Sequence, residues 1–211
     1  MYRFALIVCL TVAISGCVGP PKGTRPLAVR VPAGELKQCL SDLSKLSARY
    51  DVLASQNYGG GCSTLSSVRL TGVGIPISNV SAIQCPLALA LTRWSQSEVQ
   101  PAAKRWFGQK VVQIESFGAY SCRNVIGRPS AAGNRSEHAT ANAVDIGAFI
   151  LADGRRISVK AGWMGSEKER AFLRHIRAAA CQSFQTVLSP DYNAAHHDHL
   201  HFDLGRGPFC R

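Results

Sequence analysis

The sequence predicts an α+β domain: a small antiparallel sheet carrying a histidine-rich site, flanked by helices and braced by disulfides. Three observations predict it. Helical and strand periodicities mix along the chain without an internal repeat, five of the six histidines fall in two short stretches, and cysteine is abundant, at eight. The 211 residues make room for one ordinary domain and a short appendage. With 46% apolar and 18% charged residues, a disordered chain, a coiled coil and a collagen-like fibre are excluded.

The N-terminus reads as an export signal. Met1-Tyr2-Arg3 precedes an apolar run from Phe4 to Ile14, too short for a helix that must cover about 18 or more residues to span a bilayer. Ile14-Ser15-Gly16-Cys17 resembles the bacterial lipobox. Residues 1–16 are therefore expected to be a lipoprotein signal peptide and Cys17 the acylated N-terminus; an ordinary secreted protein is the plainer alternative. Val18 is not the aspartate that commonly retains lipoproteins at the inner membrane, so a periplasmic domain on the outer membrane is favoured. Residues 17–34 hold Pro20, Pro21, Pro26 and Pro32 among glycines, and read as a stiffened tether. Residues 35–211 form the folded domain.

Glu35–Ala48 spaces Leu36, Cys39, Leu40, Leu43 and Leu46 at helical steps. Pro86–Phe107 continues the pattern through Leu87, Leu91 and Trp94, with Pro101 breaking or restarting the helix. Val111–Phe117 alternates as a strand. Ala143–Leu151 and Ile157–Lys160 flank Asp153-Gly154, a hairpin turn signal. Ser166, with Glu169 three residues on, has the capping-box spacing for a helix reaching Phe184. His199–Leu204 alternates as a last strand.

Beyond Cys9 and Cys17 there are Cys39, Cys62, Cys85, Cys122, Cys181 and Cys210. No two lie within four residues, as cysteine zinc sites usually require, so three disulfides are expected. Cys181–Cys210 is the preferred pair; the connectivity of the other four stays open. The net charge of +11 is scattered, with no basic run longer than two. That argues against nucleic acid and makes the anionic cell wall the more available partner. A monomer is expected.

The chemistry lies in Ser136-Glu137-His138-Ala139-Thr140-Ala141-Asn142-Ala143-Val144-Asp145 and in His196-His197-Asp198-His199-Leu200-His201-Phe202-Asp203. Packing gains nothing from so many titratable rings, although an adventitious surface cluster is the bland alternative. Zn²⁺ binds imidazole and carboxylate, and its catalytic sites keep three protein ligands and one open position. A loop His138, a strand Asp145 and His201 from a second strand could meet at one ion. Strand alternation would put His199 and Asp203 on the face of His201: one toward the open position, the other behind a ligand.

Ser136-x-His138 with Ala143-x-Asp145 and the later His199-x-His201 resembles the LAS metallopeptidases (lysostaphin, D-Ala-D-Ala peptidases and hedgehog-type domains). The His196, His199, His201 spacing is similar to that of the penicillin-insensitive murein endopeptidases. The stretch from Tyr120-Ser121-Cys122-Arg123 to the histidine cluster resembles the bacterial extensin-like C-terminal family, over roughly Cys39 to Cys210. The resemblance implies His138, Asp145 and His201 as zinc ligands and Arg123 as a group steadying a carboxylate or a developing oxyanion. It leaves His196, Ser136 and Asp203 as supporting or substrate-side residues. The pattern usually has glycine where this chain has Ala141.

The function expected from this resemblance is zinc-dependent hydrolysis of peptide bonds in peptidoglycan stem peptides or cross-links, with an endopeptidase preferred. The alternative is a non-catalytic, zinc-containing wall-binding lipoprotein. The general base is open between His199 and Asp198, with His199 favoured by its strand face. Phe117, Trp163 and Tyr192 read as core more readily than as groove residues.

Overall fold

The computed structural model describes residues 32–211. The expected signal peptide, the Cys17 lipidation site and all but the end of the tether lie outside the described residues.

Helix α1 (Ala33–Lys45) begins within the segment expected as tether and ends before Ala48, which opens strand β1 (Ala48–Val52). A hairpin of β2 (Asn57–Gly59) and β3 (Cys62–Ser63) follows, then β4 (Ser67–Val73), β5 (Ile77–Ser78) and β6 (Ile83–Gln84). The long helical segment is divided into α2 (Cys85–Trp94), a wide π-type turn at Ser95–Val99 and α3 (Gln100–Phe107), with Pro101 in the first turn of α3 as a restart requires. Strands β7 (Val111–Gly118), β8 (Ala143–Leu151) and β9 (Arg156–Ser158) come next, then a single turn α4 (Val159–Gly162) that takes up Lys160, expected in a strand. The chain closes with α5 (Glu167–Ala180), β10 (Thr186–Leu188), β11 (Leu200–Asp203) and β12 (Phe209–Cys210).

The sheet is larger than the small antiparallel one expected, and it is mixed. Seven strands form it, in the order β12-β10-β11-β8-β7-β5 with β9 beside β8. Its pairs are antiparallel except at the two edges, β5 with β7 and β10 with β12. A second sheet, β1-β4-β6, is antiparallel throughout. The β8–β9 hairpin turns over Asp153-Gly154 as expected.

Helices cover one face of the main sheet. Trp94 of α2 is fully buried against Phe149, Phe184 and Phe202, and its Nε1–H donates to the Ile176 carbonyl of α5. Burying that indole while satisfying its one donor ties two helices to the sheet. α5 begins at a complete capping box, Ser166 Oγ accepting from Glu169 N–H and Glu169 Oε2 accepting from Ser166 N–H.

Three disulfides brace the fold. Cys181–Cys210 is the expected pair and joins the end of α5 to β12. Cys39–Cys85 pins α1 to the start of α2. Cys62–Cys122 ties the β2–β3 hairpin to the loop after β7; with a sequence separation of 60, it restrains the unfolded chain by about 4 kcal/mol in the chain-entropy model.

Candidate metal centre

Strand β11 aligns directly with β8, so that His201 lies opposite Asp145, Phe202 opposite Val144 and Leu200 opposite Ile146. Leu200 and Phe202 belong to the core, which leaves His201 and Asp203 on the other face. His138 arrives from a 3₁₀ turn, Glu137–Thr140, capped by Ser136, whose Oγ accepts from the His138 N–H at 3.3 Å. Ser136 is thus the cap that holds a donor residue. The turn ends at Ala141 with φ 56°, a left-handed conformation that glycine adopts freely and that costs an alanine about 1 kcal/mol or more. The donors still converge.

His138 Nε2 lies 3.2 Å from His201 Nδ1 and 3.1 Å from Asp145 Oδ2, and His201 Nδ1 lies 2.8 Å from Asp145 Oδ1. A tetrahedral ion with bonds of about 2.0–2.1 Å would hold its ligand atoms about 3.3 Å apart. The three buried residues could therefore hold a metal ion. Their outer contacts fit that role. His138 Nδ1–H donates to the Ala119 carbonyl at 2.8 Å and His201 Nε2–H to Asp203 Oδ2 at 3.0 Å, so each ring is fixed with its other nitrogen toward the cluster.

His199 precedes β11 instead of starting it, so strand alternation does not place it; Asp198 does. The Asp198 Oδ1 accepts from His199 Nδ1–H at 2.8 Å, and His199 Nε2 stands 3.5 Å from Asp145 Oδ1. The edge of Phe117 packs on the same ring, and the Phe117 ring occupies the space a Cβ on Gly147 would take. Phe117 is 51% exposed, not core. Tyr192 also leaves the core, lining a cleft of about 440 Å³ with Arg123, His138, His196, His199 and His201. Trp163 is core, as expected, at 3% exposure. His196 is held by Asn193 Oδ1, which accepts from its Nδ1–H at 2.7 Å.

A family model described as Extensin-like protein C-terminus matches residues 37–211. The chain belongs to this extensin-like family. No curated protein and no solved structure matches it.

In the extensin-like domain, residues 123–136 build one wall of the cleft. Asn193 Nδ2–H donates to the Gly127 carbonyl across the opening, and a side chain on Gly127 (φ 75°) would come within 2.6 Å of the Ala195 methyl. Arg135 fastens the same wall to the β2–β3 hairpin by donating to the Gly60 carbonyl and to Asn124 Oδ1. Sequence reasoning did not find Gly127, Arg135 or Asn193, because 66 residues separate Asn193 from its partner and no local pattern marks the contact. No helix among the described residues is long and apolar enough to cross a membrane.

Asp145 and His201 hold each other ionised. Burial opposes ionisation of Asp145, yet the hydrogen bonds and charges of His138 and His201 hold its carboxyl well below the usual range. Burial likewise opposes protonation of His201, but Asp145 and Asp203 outweigh it and push the imidazole up to about 9. For His196, burial and the neighbouring His201 and His199 charges bring it down to about 4. A raised His201 stabilises the metal-free fold fully below its unfolded value of about 6.5, and that contribution disappears as pH climbs through about 9. Asp145 contributes above the ordinary carboxylate value and loses its contribution as pH falls through its lowered one.

A divalent ion must displace the His201 proton. Uptake at pH 7 is therefore expected to release the His201 proton, with affinity rising with pH until that imidazole is neutral. Calorimetry of metal binding in buffers of different ionisation enthalpy measures this; uptake without proton release would show that His201 is not a ligand.

Proposed function

We propose that the extensin-like domain is a zinc-dependent hydrolase of amide bonds in peptidoglycan stem peptides or cross-links, an endopeptidase in the preferred reading, held at the periplasmic face of the outer membrane by an acylated Cys17. One observation carries the proposal: an imidazole backed by a carboxylate, His199 on Asp198, stands beside Asp145 of the candidate metal cluster, and His138, His199 and His201 line an open cleft. A purely structural ion is usually closed in by four protein ligands; here three converge and the cleft gives access. This is why the enzyme is preferred to a non-catalytic wall-binding lipoprotein.

When bound, zinc supplies Lewis acidity at the scissile carbonyl and acidifies water to a pKa of about 7. The remaining steps belong to the chain. His199 Nε2 accepts the proton of the attacking water, while Asp198 stabilises the resulting imidazolium through Nδ1–H. As the water oxygen adds to the carbonyl carbon and the C–N bond breaks, the same proton passes to the departing amine. Arg123, on the wall of the cleft, offers its guanidinium to the negative charge developing on the carbonyl oxygen. The earlier choice between two bases becomes a division of labour: His199 moves the proton and Asp198 aims His199.

The test is digestion of purified peptidoglycan by the zinc-loaded protein, with released muropeptides weighed. Cross-linked dimers falling to monomers is the expected result. Loss of a terminal D-alanine alone would make it a carboxypeptidase, and an unchanged profile with bound zinc would overturn the hydrolase.

A further inference from the structure

We propose that the cleft selects wall peptides whose acidic side chains are free carboxylates and discriminates against their amidated forms, using Arg128 on one wall and Arg206 on the other. The proposal rests on the wall-peptide reading above and names the feature of the substrate that the protein recognises.

The formal charges lining the cleft are four arginines against two acids, Glu137 and Asp203. Both acids are engaged from within: Asp203 accepts from His201 Nε2–H and from Gly205 N–H, and Glu137 accepts from Asn142 Nδ2–H. Arg135 is occupied by the Gly60 carbonyl and Asn124, and Arg123 stands beside the reacting groups. Arg128 and Arg206 differ. Among the described residues neither guanidinium has a hydrogen-bond or ion-pair partner, and both side chains are exposed at the cleft.

Each is paired with an exposed apolar neighbour that lines the same cleft. Ile126, 59% exposed, stands two residues from Arg128, and Phe209, 41% exposed, three residues from Arg206. An apolar surface beside an unpartnered guanidinium matches a methylene stem ending in a carboxylate, the chemistry of glutamyl and longer diacid residues. An amide of the same shape keeps the stem contact but loses the charge-assisted, bidentate bond. The walls are held in place before substrate arrives. Gly127 is locked against Asn193 beside Arg128, and the Arg206 carbonyl accepts from Thr186 Oγ1–H.

The experiment measures binding to the metal-free full chain, so that hydrolysis plays no part. Two soluble muropeptides differing only in amidation of their side-chain carboxylates are titrated in a calorimeter. The free acid is expected to bind about tenfold more tightly, a preference that shrinks with added salt. An Arg128→Gln/Arg206→Gln variant, with unchanged circular dichroism and metal uptake, is expected to bind the two within about twofold. Equal binding by the wild type, or a preference that survives in the variant, overturns the carboxylate selection while leaving the wall-peptide reading in place. Failure of both peptides to bind overturns that reading and this proposal together.

Discussion

A His138→Ala variant is expected to lose zinc and, with it, all release of soluble peptides from purified peptidoglycan. A tight protein zinc site is worth about 10–16 kcal/mol over its ligands, so removing one ligand weakens the site by at least about 100-fold. The effect should reach beyond the lost donor. His138 Nδ1–H satisfies the Ala119 carbonyl, and Nε2 lies within 3.2 Å of both His201 Nδ1 and Asp145 Oδ2. Truncation leaves Asp145 and His201 as an ion pair, two donor residues in place of three. The hydrogen bonds that tie this turn to its surroundings, from Ser121 N–H to the His138 carbonyl and from Gln84 to the Thr140 and Ala141 carbonyls, are accepted by its backbone and survive the substitution, so circular dichroism should be preserved. Zinc content by mass spectrometry and peptide release give the two readouts. Wild-type release by a zinc-free variant would end the metal mechanism.

The second large effect separates the proton carrier from the residue that aims it. His199→Ala is expected to keep zinc and lose about 10²–10⁴-fold in turnover, the usual contribution of a positioned general base. Asp198→Asn should also keep zinc and lose less, because the imidazole remains and Phe117 still limits its tilt. The order of the two losses decides the assignment. A nearly inactive Asp198→Asn beside an active His199→Ala would transfer the proton to Asp198.

The donor residues were legible in the sequence because imidazoles and carboxylates are rare enough, when clustered, to stand out against packing. Local signals were equally legible: the Ser166–Glu169 capping box, the limits Ala143–Leu151 and the Asp153-Gly154 turn are properties of a few adjacent residues. The strand Ser67–Val73 carried a readable signal that was missed, with Val68 and Leu70 buried and Arg69 and Thr71 exposed in alternation. Two other features could not be read locally. Two of the three disulfide pairings depend on how hairpins and helices meet, and the wall bearing Arg128 is set by its contact with Asn193. His199 was assigned to the right neighbourhood for an incomplete reason: it lies before the strand, and its aim comes from the carboxylate next to it.

The two-sidedness of β11 limits how the centre can fail. Two of its four residues, Leu200 and Phe202, are anchored in the hydrophobic core, while His201 and Asp203 serve the opening. Sliding the strand by a single position would drive an imidazole and a carboxylate into oil and strand two hydrocarbons in water. Gradual misalignment is thereby forbidden, and damage to the hydrocarbon side should make the centre vanish outright in a fraction of molecules instead of dimming it in all of them.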